Sequence, residues 1–206
     1  IYNRKNNMPD FPIETHPLPP FTPPNAKLLM LGSFPPPKAR WKMDFYYPNF
    51  QNDMWRIFGL VFFADKDCFV AAGGKAFKEG LIRDFLHEKG IAISDTAHQV
   101  VRLQGNASDK FLQIVTPLDL AALLAPMPHC DVVMTTGELA TDTLVSLMPS
   151  ETAKPAIGAY SEAEFAGRRL RLYRLPSSSR AYPLPLAQKA AAYARFFREI
   201  GLLEAF

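Results

Sequence analysis

Short apolar segments alternate with segments of helical periodicity along most of this chain, and this alternation constrains its fold more than any other feature. Each apolar segment is short enough to be a strand and runs into a glycine, serine or proline. Strands that alternate with helices form a parallel sheet with helices on both faces. We therefore predict an α/β fold, a three-layer α/β/α sandwich around a mainly parallel sheet of about four to five strands. The predicted strands are 27–31, 91–93, 131–136 and 168–175.

Apolar residues recur at helical spacing in five segments. In one of them, Thr116 is a good N-cap residue and Pro117 suits a first helical position, which predicts a helix from there through Leu124. The other helices are predicted around 54–61, around 77–85 with a stop at Gly90, over 138–148 and over 186–200.

The loops that follow the predicted strands should lie close together. In parallel sheets, ligands bind beside the carboxyl ends of the strands. The loops after Leu31, Ile93, Thr136 and Leu175 should therefore gather at one edge of the sheet and form a site.

Residues 1–26 are rich in proline and asparagine and differ from the rest of the chain. Because proline removes backbone donors and fixes φ, this segment should wrap a surface or stay mobile. We treat it as an extended N-terminal arm. Residues 27–206 then form one α/β domain, a size that a single hydrophobic core can support.

The cysteines and histidines do not indicate a metal or cofactor site. Cys68 and Cys130 lie far apart with no CxxC spacing, so we expect buried, reduced thiols in a cytoplasmic protein. Of the four histidines, His98 alone follows a strand end closely, and a structural role is the better explanation for it. No apolar run reaches the roughly 18 residues that a membrane span needs. Motifs for a nucleophile elbow, a phosphate loop and a dinucleotide-binding loop are also absent from the sequence.

Basic residues are concentrated near the C-terminal end. Residues 165–198 contain eight cations and no Asp or Glu, which leaves 15 cations against 20 carboxylates in the remainder. A cluster of one sign attracts a polyanion such as nucleic acid. A solvated basic face is the alternative that charge alone leaves open.

Two loops have an unusual composition. The first runs from Gly32 through the aromatic stretch before Trp55, and Asn52 in it either serves chemistry or caps the next helix. The second, 175–182, offers hydroxyl groups and backbone N–H groups inside the basic stretch, as a phosphate backbone requires, although a plain serine-rich turn has the same composition.

Together these loops resemble the two motifs of the uracil-DNA glycosylase superfamily, one after the first strand and one before the last helix. The pattern is similar to the mismatch-specific uracil-DNA glycosylases and closer to the hypoxanthine-DNA glycosylase branch. The resemblance covers about residues 27–200. The residues that carry it are Gly32, Ser33, Phe34, Pro35, Tyr46, Tyr47, Asn52, Trp55, Gly90, Ile91, Ala92, Arg102, Gly105, Ser108, Asp109, Leu175, Pro176 and Ser177.

Two positions depart from the superfamily pattern. Most members carry a catalytic Asn or Asp two positions after the glycine of the first motif, where this chain has Phe34. The hypoxanthine branch also lacks that residue and is thought to use a later asparagine, which corresponds to Asn52. In the second motif, Ala181 replaces the leucine that many relatives insert into DNA, so Arg180 or Tyr182 would have to act as the wedge.

The resemblance implies a catalytic role for Asn52, which would position a water molecule because an amide is no general base. Tyr47 would stack on the extruded base, and backbone N–H groups near Ser33 would stabilise the departing base. The expected base pocket is Gly32, Ser33, Phe34, Tyr47 and Met54. The expected DNA-binding residues are Ser177, Ser178, Ser179, Arg180, Ala181, Tyr182, Arg174 and Lys189.

The function that the resemblance implies is base-excision repair. A monofunctional glycosylase would hydrolyse the N-glycosidic bond of uracil or hypoxanthine in double-stranded DNA with a damaged or mismatched base, as a monomer without a metal or cofactor. Two alternatives stay open. One is a non-catalytic nucleic-acid-binding member of the superfamily, and the other is an unrelated α/β enzyme that acts on a small anionic substrate.

Overall fold

The computed structural model describes residues 11–106 and 108–204, and within them lie eight β-strands and five α-helices. The strands are β1 (Ile13–Thr15), β2 (Leu28–Gly32), β3 (Ile91–Asp95), β4 (Ala97–Arg102), β5 (Leu112–Pro117), β6 (Val132–Thr136), β7 (Tyr160–Phe165) and β8 (Arg168–Leu175). The helices are α1 (Met54–Phe63), α2 (Glu79–Lys89), α3 (Leu120–Leu124), α4 (Glu138–Ser146) and α5 (Leu186–Glu199).

The larger sheet contains five strands in the order β3-β2-β6-β8-β7. The first four are parallel to their neighbours, and β7 pairs antiparallel with β8 at the edge. The four parallel strands are those expected from the sequence, so the α/β class and the mainly parallel sheet are confirmed. The edge strand β7 was not predicted because it buries only Ala163 and its sequence is correspondingly polar.

Side chains of β2 alternate between two hydrophobic clusters, as the two-residue period of a strand requires. Leu28 and Met30 belong to a cluster with buried residues of α1, α2 and α5. Leu29 and Leu31 belong to a second cluster with buried residues of α3 and α4. A large apolar side chain contributes roughly 1.5–3 kcal/mol when it is fully buried, so both clusters hold the helices firmly on the central strand.

The smaller sheet is antiparallel, in the order β1-β4-β5, and was not predicted. Register shifts near Gln99 interrupt the alternation that would have revealed β4. The helix predicted to start at Thr116 is wrong in that position, because Thr116 pairs with Gln99 in this sheet. Helix α3 begins instead at Leu120, where the Asp119 carboxylate accepts a hydrogen bond of 3.0 Å from the Ala122 N–H.

The described part of the N-terminal arm, residues 11–26, lies on the rest of the chain. Its strand β1 pairs with β4, and Phe21 exchanges two backbone hydrogen bonds with Ile93, at 3.0 and 2.9 Å. The side chains of Leu18 and Phe21 pack against the cluster that contains Leu28. Residues 1–10 lie outside the described residues, and the domain boundary at residue 27 stays a prediction.

No helix in the described ranges combines the length and apolar character that crossing a membrane would demand. Cys68 and Cys130 are free thiols, but only Cys130 is buried as expected, since Cys68 is partly exposed. Burial raises the pKa of Cys130 to about 12, so this thiol is neutral. The cytoplasmic location expected from the two cysteines stays a prediction.

Candidate active site

A cavity of about 610 Å³ opens at the carboxyl ends of four parallel strands. Its lining includes Gly32 at the end of β2, Asp95 at the end of β3, Thr136 at the end of β6 and Ser177 just after β8. The prediction that the loops after these strands gather at one edge is therefore confirmed.

The floor of the cavity is formed where Gly32, Asp95 and Tyr47 approach each other. A Cβ atom on Gly32 would lie 2.6 Å from Asp95 Oδ1 and 3.0 Å from the Tyr47 hydroxyl oxygen. Contacts this short would force the carboxylate or the ring to move. The absence of a side chain at this position is what allows both groups to reach the same point.

Tyr47 spans the cavity from the first loop to β6. Its backbone has a φ of 53°, and its hydroxyl group lies 2.9 Å from Thr136 Oγ1. Burial, with the Asp95 carboxylate nearby, raises the pKa of Tyr47 well above its usual range. The side chain is therefore neutral, and its ring contacts Trp55 edge to face at 6.3 Å.

A second carboxylate enters the cavity from the connection between β4 and β5. Asp109 lies on a 3-10 turn, Asp109–Phe111, and its Oδ1 accepts a hydrogen bond of 2.6 Å from Ser33 Oγ. Burial raises the pKa of Asp109, and the Asp95 carboxylate raises it further. The hydrogen bond from Ser33 and the Arg102 guanidinium oppose this shift.

Phe34, expected in the pocket, lines the cavity and also packs outside it. Its ring lies against the small cluster of Ala97, Val100 and Leu112, which belongs to β4 and β5. The ring also contacts His16 edge to face at 5.2 Å. Phe34 thus joins the first loop to the smaller sheet.

Asn52 lines the cavity immediately before α1. Its Oδ1 accepts a hydrogen bond of 2.9 Å from the Met54 N–H, so the side chain does satisfy a free donor at the start of the helix. The carboxamide nitrogen has no acceptor among the residues that the structure describes. The side chain can therefore stabilise the helix start and still offer a donor and a second lone pair to the cavity.

Asp53 ties the two loops together. Its Oδ1 accepts a hydrogen bond of 3.0 Å from Arg180 Nε, its Oδ2 lies 3.8 Å from Lys189 Nζ, and Arg56 approaches Oδ1 at 3.8 Å. The Asp53 N–H also donates to the Ser178 carbonyl at 3.0 Å. Since Asp53 is only 6 % exposed, this carboxylate is the electrostatic centre of the junction between the loops.

Most of the predicted site residues line the cavity, although their roles stay predictions. They are Gly32, Ser33, Phe34, Tyr47, Asn52, Ser177, Ser178, Ser179, Arg180, Ala181 and Tyr182.

Three predicted residues lie elsewhere. Met54 is fully buried in the cluster with Leu28, because it begins α1 and faces the sheet. Lys189 has a buried side chain whose Nζ donates to the Ser179 carbonyl at 2.7 Å, so it supports the second loop from behind. Arg174 lies on β8 beside Thr135, outside the cavity lining.

The basic stretch is not gathered on one face. Arg168 donates to the carbonyl groups of Leu124, Met127 and Cys130, and Arg169 pairs with Glu162 at 2.6 Å. These cations serve the fold at the amino end of β8, away from the cavity. Proximity in sequence did not imply proximity in space.

Sequence reasoning missed several residues of the cavity. Asp95 follows a predicted strand directly, so the rule that strand ends meet at one edge could have indicated it. Asp109 belongs to the resemblance but received no site role, because it and Lys110 lie on a turn of the smaller sheet, which was not predicted. Arg40 lies in a short turn with no recognisable signal.

Among the residues that the structure describes, no three His, Cys, Asp or Glu side chains are grouped as a metal site would need. The cavity instead combines two carboxylates with side-chain amides, phenols and hydroxyl groups, and it has cations at its mouth. Such a set can bind a polar planar ligand and move a proton.

No protein-family model matches the chain, and no curated protein matches it. Among solved structures, the chain is similar to the solution NMR structure of a "putative Uracil DNA glycosylase" from Methanosarcina acetivorans. The two share 20 % sequence identity, with a TM-score of 0.61, over 92 % of this chain and 99 % of the other. The chain therefore has the α/β fold of that protein.

Proposed function

We propose that this protein is a monofunctional DNA glycosylase that hydrolyses the N-glycosidic bond of a deaminated base, uracil or hypoxanthine. The observation that carries the proposal is the cavity of about 610 Å³ at the carboxyl ends of the parallel strands. Its volume falls in the range of roughly 300–1,000 Å³ typical of small-molecule pockets, which suits an extruded nucleotide.

The similarity in fold to the structure from Methanosarcina acetivorans supports the same class of activity. The two hydrophobic clusters on β2 support the three-layer α/β/α sandwich as the form of this fold.

Extrusion of a base from a duplex costs a few kcal/mol, which contacts in the cavity must offset. Tyr47 is neutral and partly buried, so its ring suits stacking, and base–aromatic stacking contributes about 1–3 kcal/mol. Gly32 lets the Asp95 carboxylate and the Tyr47 hydroxyl group lie close together beside the place proposed for the base.

The mouth of the cavity carries groups that suit the DNA backbone. Arg40, Lys110 and Arg180 are exposed and line it, and Ser177 and Ser179 of the second loop add hydroxyl groups. Cations and small hydroxyl side chains are the usual partners of phosphate oxygens. The proposed partner is double-stranded DNA with a damaged or mismatched base, bound by a monomer that needs no cofactor.

Cleavage develops positive charge on the sugar and negative charge on the departing base. In this proposal Asn52 orients the water molecule through its remaining lone pair, and backbone N–H groups near Ser33 stabilise the departing base.

The test is cleavage of end-labelled duplexes that contain a single uracil, a single hypoxanthine or an undamaged base. We expect strand breaks at the modified position only after alkali treatment, because a monofunctional glycosylase leaves an intact backbone at the abasic site. The activity must co-elute with the protein in gel filtration, which controls for contaminating glycosylases. Tight DNA binding without release of either base would favour the non-catalytic alternative. Absence of both DNA binding and base release would favour the alternative of an unrelated α/β enzyme that acts on a small anionic substrate.

A further inference from the structure

We propose that the Asp109 carboxylate is the general base that deprotonates the attacking water. This inference rests on the proposed function and adds to it the acid–base group that Asn52 cannot supply. Asp109 lines the cavity on the turn that joins β4 to β5, an element outside the two loops that first indicated the site.

The two oxygens of Asp109 have different surroundings. Oδ1 accepts the 2.6 Å hydrogen bond from Ser33, which fixes the plane of the carboxylate. Oδ2 accepts no hydrogen bond from the residues that the structure describes. Gly137 lies beside it, and a Cβ atom there would be 3.7 Å from Oδ2. One oxygen is thus held in place while the other can accept a proton from water.

The other carboxylates nearby, one in the cavity lining and one behind it, already have partners. Asp95 Oδ2 lies 2.7 Å from His16 Nε2, and its Oδ1 lies against Gly32. Asp53 is surrounded by Arg180, Lys189 and Arg56. Since both are paired, neither is as well placed as Asp109 to take up a proton.

Asp109 is supported by a rigid framework. Arg102 donates to Glu14, to the Pro35 carbonyl at 3.0 Å and to the Asn106 carbonyl at 2.9 Å, which joins β1, the first loop and the β4–β5 connection. Phe34 packs against the apolar residues of β4 and β5. These contacts fix the turn on which Asp109 lies, and general bases need such fixed geometry.

The charged groups that face Asp109 set its proton affinity. Burial and the Asp95 carboxylate raise the pKa of Asp109, while Arg102 and Ser33 lower it, and the neighbouring Tyr47 is neutral. A carboxyl with a raised pKa is a stronger base once it is ionised, which favours proton abstraction near neutral pH.

In the proposed step, the water oxygen forms a bond to C1′ of the deoxyribose as the C1′–N bond breaks. The electron pair of the C1′–N bond leaves with the base. The proton lost by water moves to Asp109 Oδ2. It is then passed through solvent to the departing base, so the products are the neutral base and a hydroxyl group at C1′.

The test is single-turnover cleavage by Asp109→Asn on whichever modified duplex the wild-type protein cleaves. Asparagine keeps an acceptor for Ser33, so we expect normal folding, unchanged DNA binding and a rate about 10²–10⁴-fold lower, the usual contribution of a general base. Asp131→Asn, at the opposite end of the sheet, is the matched control and should keep the wild-type rate.

The pH profile separates a base from a structural residue. The wild-type rate should fall as the pH falls through the pKa of Asp109, because protonation removes the base, and this acidic limb should vanish in Asp109→Asn. Ser33→Ala removes a hydrogen bond that lowers the pKa, so the limb should move to higher pH. This variant keeps the proposal testable even if Asp109→Asn fails to fold.

A wild-type rate with an unchanged acidic limb in Asp109→Asn would overturn the assignment and leave the glycosylase proposal standing. An unmoved limb in Ser33→Ala would also count against it. If the wild-type protein releases no base at any pH, both proposals are wrong.

Discussion

At the scale of single residues, Asn52 combines two roles that the sequence presented as alternatives. Its Oδ1 accepts the Met54 N–H at the start of α1, and the same side chain lines the cavity. An asparagine has four hydrogen-bonding positions, so one bond to the backbone does not exhaust it. The two interpretations therefore do not exclude each other.

This double role predicts that Asn52→Ala and Asn52→Asp will differ in their effects on stability and on the cleavage rate. Alanine removes both interactions, so we expect a loss of about 0.5–2 kcal/mol in the free energy of unfolding and a rate lower by orders of magnitude. Aspartate keeps the acceptor for Met54 and can still orient water, so stability should be nearly normal and part of the activity should remain. Thermal unfolding and single-turnover cleavage on the same samples measure both effects.

The control for this pair lies at the other end of α1. Asp65 accepts a hydrogen bond of 2.9 Å from the Asp67 N–H in a turn of the same kind. Asp65→Ala should lower stability by a similar amount without an effect on cleavage. Full cleavage by Asn52→Ala would show that Asn52 is only a helix-start residue.

Gly32 and Tyr47 were predictable as site residues because the first motif contains them. Met54 and Lys189 were not correctly placed, since sequence neighbours of a site residue can point into the core. Met54 begins a helix whose apolar face turns towards the sheet, and Lys189 lies on the buried side of α5. Which side of an element faces the site is decided by packing across the sheet.

At the scale of elements, the unpredicted smaller sheet has the largest consequence for the site. Strand β1 has only three residues, and β4 changes register near Gln99, so no clean two-residue period marks this sheet. The turn that this sheet supports nevertheless brings Asp109 beside Ser33. Long-range pairing between residues 13–15 and 99–101 cannot be read from local pattern.

The junction of the two loops predicts a specific loss of stability. Asp53→Asn leaves Arg180, Lys189 and Arg56 without the carboxylate that lies between them, and removal of one partner from a buried ion pair costs on the order of 3 kcal/mol. We expect a lower midpoint of thermal unfolding and faster proteolysis within 177–182.

Asp44→Ala is the matched surface change. The Asp44 side chain is 78 % exposed, and within residues 11–106 and 108–204 it pairs only with Lys38. This substitution should lower the free energy of unfolding by at most about 1 kcal/mol. Equal effects of the two substitutions would show that the junction contributes no more than a surface pair.

At the scale of the whole molecule, the arrangement of strands was predictable and the arrangement of charge was not. Three of the four parallel strands are buried along their whole length and begin with apolar residues, and the order of all four along the chain places their carboxyl ends together. The positions of charged side chains are not constrained by strand order. Some cations of residues 165–198 therefore stabilise the fold, and others line the cavity. Arg168 and Arg180, for example, serve opposite ends of β8.

The distribution of cations around the cavity predicts how DNA binding responds to salt. Arg40→Ala and Lys110→Ala should each weaken binding to duplex DNA, and each should reduce the slope of log affinity against log salt by roughly 1. Arg169→Ala, whose side chain pairs with Glu162 on the β7–β8 edge, should leave both quantities unchanged. Titrations at several salt concentrations give the slopes, and equal slopes for all three variants would place the DNA elsewhere.

The hydrogen bond between Arg180 and Asp53 joins residues 127 positions apart. The chain is synthesised from its N-terminus, so the first loop cannot make its contact with Arg180 until almost all of the domain has been synthesised. Closure of so long a segment also carries a large entropic cost, which only a well-packed sheet can offset. We expect the mouth of the cavity to form late in folding, so that truncated or partly folded chains lack it.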